Sequence, residues 1–134
     1  MKSGKQETVP IASSSDVVLA RQKVRQWAIE MKFTLVDQTK LVTAASELAR
    51  NALEHGKGGH MLIEQVQNSV KNGLKLVFED QGPGIADIDA ALRDGYTTAG
   101  GMGLGLGGSK RLVNDFHIES EPGKGTRITV VRWK

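Results

Sequence analysis

The residues able to do chemistry lie in three short stretches between Ser46 and Gly107. The first, Glu47-Leu48-Ala49-Arg50-Asn51-Ala52-Leu53-Glu54-His55, sets a carboxylate and an amide one helical turn apart. Asn51 can offer an amide oxygen to Mg²⁺, and Glu47 can act as general base on an attacking hydroxyl or water. Mg²⁺ takes few protein oxygens beside phosphate and water, so one amide suffices. A solvated polar helix face is the competing reading, although Asn is a mediocre residue for a helix interior. The second stretch is Asp80-Gln81-Gly82-Pro83-Gly84-Ile85. A carboxylate where a strand meets a Gly-x-Gly turn can accept from the exocyclic amine of adenine, and Gly82 and Gly84 let backbone approach the ring. An ordinary Asp-Gly turn is the alternative. The third, Gly100-Gly101-Met102-Gly103-Leu104-Gly105-Leu106-Gly107, reads as a phosphate loop opening a helix, with free N–H groups and the positive helix end facing an anion. Each glycine there costs about 1 kcal/mol relative to Ala, which favours a functional purpose.

Other motifs fail on context. Gly103, Gly105 and Gly108 match G-x-G-x-x-G, but no strand immediately precedes them and too little chain follows for a dinucleotide fold. Ser109-Lys110 reverses the order a P-loop needs. His55, His60 and His117 lack metal-ligand spacing. Lys110 and Arg111 read as a solvated helix face.

The elements that must position these groups follow from periodicity. Gln6 to Ala12 suits an edge strand, with Pro10 unable to donate to a ladder. Ser13 to Asp16 supplies cap candidates for a helix carrying Val17, Ala20, Val24, Trp27, Ala28 and Met31 at helical spacing, closed by 33–36. Trp27 reads as a packing residue. Asp37 caps a second helix, about Gln38 to His55, with Leu41, Ala45, Leu48 and Ala52 on the core face and Glu47, Asn51 and Glu54 on another stripe. Gly56, Gly58 and Gly59 end it. Two strands, His60 to Gln67 and the more apolar, central Leu74 to Asp80, flank a hairpin with Asn72-Gly73 as its turn signal. A short helix over Asp87 to Arg93, a Gly/Thr-rich loop, a helix over Leu104 to Asp115, and strands Phe116 to Glu121 and Thr126 to Trp133 complete the chain. This order predicts an α/β (α+β sandwich) domain over residues 1–134, a mixed β-sheet covered by helices on one face.

Composition narrows the partners. The charge of +3 is spread along the chain and aromatics are 4%, too few for stacked bases, so a nucleic-acid partner is not expected. No apolar run is long enough to span a bilayer, no membrane partner is expected, and a cytoplasmic location follows. With no cysteine, thiolate chemistry is excluded.

In this order, the three motifs resemble the GHKL group, the Bergerat-type ATP-binding fold shared by DNA gyrase, mismatch-repair MutL proteins and histidine kinases. Within it the whole chain resembles the small serine protein kinases of bacterial anti-sigma pathways. Residues 95–98, Gly103 to Leu106, Ser120 to Thr126 and Arg132-Trp133 match stressosome switch kinases most closely. The resemblance implies ATP as phosphodonor with ADP as product, Mg²⁺ on Asn51, and Glu47 as the base that takes the proton of a substrate serine. It implies that Asp80 reads adenine, helped by Gly84 and Thr126. Gly82 belongs to the first glycine box and Gly101 to the second, and the backbone of Gly103, Leu104 and Gly105 would hold the phosphates. Relatives of the direct anti-sigma type carry a lid arginine that this lid lacks, leaving Arg93, Thr98 and Lys110 as candidates for stabilising transferred charge. A lone domain of this size lacks the phosphoacceptor helix of a histidine kinase and the transducer of a gyrase, which favours transfer in trans. STAS-domain proteins are the implied substrates, and a PP2C-type phosphatase or similar enzyme the implied output partner. An anti-sigma factor kinase that holds a sigma factor, and a nucleotide-dependent binding module without turnover, are the rival expectations.

Overall fold

The computed structural model describes residues 2–85, 92 and 105–134. Its elements are β1 (Lys2–Ile11), α1 (Ser14–Glu30), α2 (Leu35–Glu54), β2 (Gly59–Gln67), β3 (Asn72–Asp80), α3 (Gly105–Arg111), β4 (Asp115–Ser120) and β5 (Thr126–Trp133). The strands form one sheet in the order β1-β2-β3-β5-β4, and every described ladder is antiparallel. The α/β class holds, but the expected mixture of strand directions is not found. A helical pair joins β1 to β2 and returns the chain reversed. The crossover through α3 makes β4 run the same way as β3, yet β5 folds back into the slot between them and removes the one parallel pairing.

Local chemistry sets the boundaries. Ser13 caps α1, accepting from the Asp16 N–H. The helix ends when Lys32 turns to φ 64, with Phe33 N–H donating to the Ala28 carbonyl. Residues 35–36 therefore open the next helix instead of closing the first. Thr34, not Asp37, caps α2: its hydroxyl accepts from the Asp37 N–H at 3.2 Å, which leaves the Asp37 carboxylate free for a distant partner. The β2–β3 turn is also displaced from its expected place. Asn68 closes it by accepting from the Val70 and Lys71 N–H groups, whereas Asn72 and Gly73 pair within β3. Gly73 is small for another reason, since a Cβ there would stand 2.6 Å from the Trp133 ring.

The core lies between one face of the sheet and the helices. Val9, Met61, Ile63, Leu76 and Val130 point from the strands toward Val24 and Trp27 of α1 and toward Leu41 and Leu48 of α2. Ala45, Ala49 and Ala52 are buried on α2 and let that helix approach closely. Edge and centre fall where the sequence placed them, with Pro10 in the outer strand β1 and the apolar β3 in the middle. No described helix is long and apolar enough to cross a membrane.

Candidate functional site

The site grows out of the C-terminal half of α2. This helix runs toward the end of the sheet where β3 stops, because Gly59, opening β2, pairs with Asp80, closing β3. The expectation of a solvated stripe holds for exposed Glu54 and fails for Glu47, which is 8% exposed. The helix is covered on more than one side: α3 packs on α2 as well, with Leu106 and Ser109 buried. Asn51, one turn beyond Glu47, is half-buried. Among the described residues the Glu47 carboxylate has one partner, Arg50, whose Nη1 donates to Oε1 at 2.9 Å.

Past α2, Gly56 and Gly58 donate to the Asn51 and Ala52 carbonyls, folding the chain sharply back. Gly56 then lies against the Asp80 carboxyl, and a Cβ on Gly82 would stand 2.5 Å from the Gly56 Cα. The end of α2, the end of β3 and the first glycine turn are thus pressed into one unit that any side chain at Gly56 would wedge apart. Gly56 reads in the sequence only as a helix stop. Three glycines in four residues exceed what a stop needs, and that excess is the signal for its second role.

Burial pushes the Asp80 carboxyl above its usual range, against backbone hydrogen bonds from Gly82 and Thr126 that favour the charged form. The Gly82 N–H reaches Oδ1 at 2.9 Å. Ser120, absent from the sequence-derived site, ties this turn to the β4–β5 turn. Its Oγ accepts from the Ile85 N–H at 2.7 Å, donates to the Gly125 carbonyl at 3.0 Å, and lies 2.8 Å from Thr126 Oγ1. With its proton given to Gly125, Ser120 takes the Thr126 proton, which fixes the Thr126 hydroxyl beside the end of β3. Gly84 completes the junction at φ 78, with the Glu121 carbonyl against its Cα and no room for a side chain. An open groove along this rim is lined by Asp80, Gln81, Ser120, Gly125 and Thr126.

Glu47, Asn51, Asp80, Gly82, Gly84 and Thr126 therefore gather at one end of the sheet or on the helix leading into it. Gly105 opens α3, which starts at that same end because it carries the chain from β3 to the far start of β4. Gly101, Gly103 and Leu104 lie outside the described residues, as do Arg93, Thr98 and the expected lid and short helix except for Leu92. Lys110 is not brought to the site: it lines a groove with Asn114, Asp115, His117 and Thr129, near the opposite end of β4. Among the described residues no group of three His, Cys, Asp or Glu side chains could hold a metal. His60 and His117 pair instead with Glu79 and Glu119. Asn51 offers a single neutral oxygen beside a carboxylate already paired, a donor set that fits Mg²⁺ taking its other ligands from phosphate and water.

Residues 36–134 match the family model of histidine kinase-, DNA gyrase B- and HSP90-like ATPases. The chain is 47% identical to serine/threonine-protein kinase RsbT of Bacillus subtilis, over 96% of both chains. It is 32% identical to an anti-sigma F factor of Clostridium kluyveri, over 88% of this chain and 86% of that one. In fold it resembles the crystal structure of the RsbU and RsbW domains of a Mycobacterium tuberculosis protein, with a TM-score of 0.65 at 20% identity over 97% of this chain and 33% of that chain. The mycobacterial sensor histidine kinase MprB follows at a TM-score of 0.57 and 19% identity, over 96% of this chain and 97% of that one. The chain belongs to the histidine kinase-, DNA gyrase B- and HSP90-like ATPase family, in the branch that holds RsbT and the anti-sigma F factors.

Proposed function

We propose that this ATP-binding protein serine/threonine kinase works as a stressosome-type switch in the cytoplasm. It phosphorylates a serine on a STAS-domain partner that also sequesters it, then moves to an output enzyme of the PP2C-phosphatase type. The observation that carries the reading is the buried Glu47 carboxylate on α2, one turn from Asn51, on a helix that ends against Asp80. The 47% identical relative named as a serine/threonine-protein kinase supports the activity, and the sequence resemblance supports the partners.

In this mechanism Asp80 accepts from the exocyclic amine of adenine, while Gly84 and Thr126 border the ring. Backbone groups of Gly103, Leu104 and Gly105 hold the phosphates. Asn51 would hold Mg²⁺, which when bound neutralises phosphate charge. Glu47 orients the substrate serine and takes its hydroxyl proton as the oxygen attacks the γ-phosphorus and ADP leaves. Little covalent work falls to the protein, so positioning supplies most of the rate.

Intact-mass spectrometry of a STAS-domain protein incubated with the kinase, ATP and Mg²⁺ tests the assignment. One added phosphate, absent with Asn51→Ala, is expected. Unmodified STAS protein beside a sigma factor retained in a pull-down would move the chain to the anti-sigma reading, which the 32% identical anti-sigma F factor relative favours. ATP bound with no transfer to any partner would leave a binding module.

A further inference from the structure

Glu47 is among the few charged side chains buried in the described structure, and its one partner there comes from its own helix. Arg50 sits three residues on, beside Asn51, and its side chain stays 42% exposed while that of Glu47 is 11% exposed. The contact is one-armed: Nη1 donates to Oε1, and Oε2 accepts from no described residue. A carboxylate this shielded from water depends on the few donors that reach it. A monodentate Arg also fixes which oxygen is engaged.

We infer that Arg50 is a positioning residue for phosphotransfer, occupying Oε1 of Glu47 so that Oε2 is the oxygen presented to the substrate hydroxyl. This rests on Glu47 being the base. In the step, the serine Oγ–H proton passes to Oε2 and the new Oγ–P bond takes the oxygen's electron pair. The bond from the γ-phosphorus to the bridging oxygen breaks, and its electrons leave with ADP. Arg50 gives up no proton and touches neither reactant. It restricts the Glu47 rotamer within a shielded site. An arginine in this place supplies a positive charge near the reacting groups from α2 itself, in a chain whose lid sequence carries none.

The test is single-turnover consumption of ATP by the full chain with Mg²⁺ and a STAS-domain protein, counting transfer to protein and to water, for Arg50→Ala and Arg50→Lys. Equilibrium ATP affinity and Tm are measured beside it. Arg50→Ala is expected to slow the step at least about 10-fold with ATP affinity changed less than about 2-fold, an interaction lost only in the transition state. Arg50→Lys keeps a cation on the same turn and is expected to recover the rate to within about 3-fold of the parent. Should Arg50→Ala fold poorly, Arg50→Lys and Arg50→Gln, which differ in charge at similar length, give the same contrast. An unchanged rate, or a loss that appears as ATP affinity alone, overturns the inference. Parental turnover by Glu47→Ala would instead sink the base assignment itself, a separate result.

Discussion

Asp37 and Asp80 stand at opposite ends of the same sheet, and their surroundings push them in opposite directions. At the far end Arg132 of β5 donates to Asp37 Oδ1 through Nη2 at 2.5 Å and to the Leu112 carbonyl through Nη1 at 3.0 Å. One guanidinium thus joins the start of α2, the exit of α3 and the last strand. Asp37 is held below the usual carboxylate range, first by that hydrogen bond, against an opposing effect of burial. Trp133 strengthens the same end, its backbone N–H donating to Asn114 and its indole N–H to Asp115. At the site end no cation answers Asp80 among the described residues, and burial raises its pKa. Close backbone packing through Gly56 and Gly82 holds it in place instead. Fixed side-chain donors gather at the end away from the candidate site, and the carboxyl proposed to take adenine is left without a cation among the described residues.

The widest separation is expected for Asp80→Asn. ATP affinity should fall about 100-fold by isothermal titration calorimetry, because the carboxyl proposed to accept from the adenine amine is lost. Tm should hold or rise. A carboxyl whose folded pKa is raised weakens the fold once ionised, above that pKa, and the amide removes this cost while Oδ1 can still accept from Gly82. A large drop in Tm would erase the distinction between the two ends. Next in size, Arg132→Met should destabilise the fold by about 1–3 kcal/mol in urea unfolding, since Asp37 and the Leu112 carbonyl lose their donor. ATP affinity should stay within about 2-fold. A parallel loss of affinity would show that the far end also governs the site.

The smallest effect concerns pH. Asp37 has a lowered folded pKa, so its stabilisation is complete above the unfolded carboxylate value and is lost as pH falls through the folded one. The window opens near 3.8 and extends below it. Asp37→Asn should flatten the stability–pH curve there, by about 1 kcal/mol or less because the pair is partly exposed. A curve as steep as the parent's would assign the acid sensitivity to other carboxylates.

Much of this was legible in the sequence. The first two stretches stand out because each joins unusual residue types to a chain position with one structural use, as Asp80 does between an apolar strand and a Gly-Pro-Gly turn, and the third lies outside the described residues up to Leu104. The elements fell out of period 2 and period 3.6 patterns, and Pro10 marked the edge. Pairings that depend on distant residues were not visible. Nothing near Asp37 announces Arg132, so it looked like the cap that Thr34 provides. Nothing in Asn72-Gly73 reveals that Trp133 claims the space over Gly73. Strand direction escaped because local pattern does not say that β5 inserts between β3 and β4. The burial of Glu47 is not legible either, since period alone assigns α2 one covered face and does not announce that α3 also packs on this helix.

The most direct measurement compares Glu47→Ala with the parent for ATP affinity and for phosphate transfer to a STAS-domain serine under single-turnover conditions. Loss of a general base should slow transfer about 10²–10⁴-fold while affinity changes less than about 3-fold. Transfer at the parental rate would contradict the placement of the chemistry on α2.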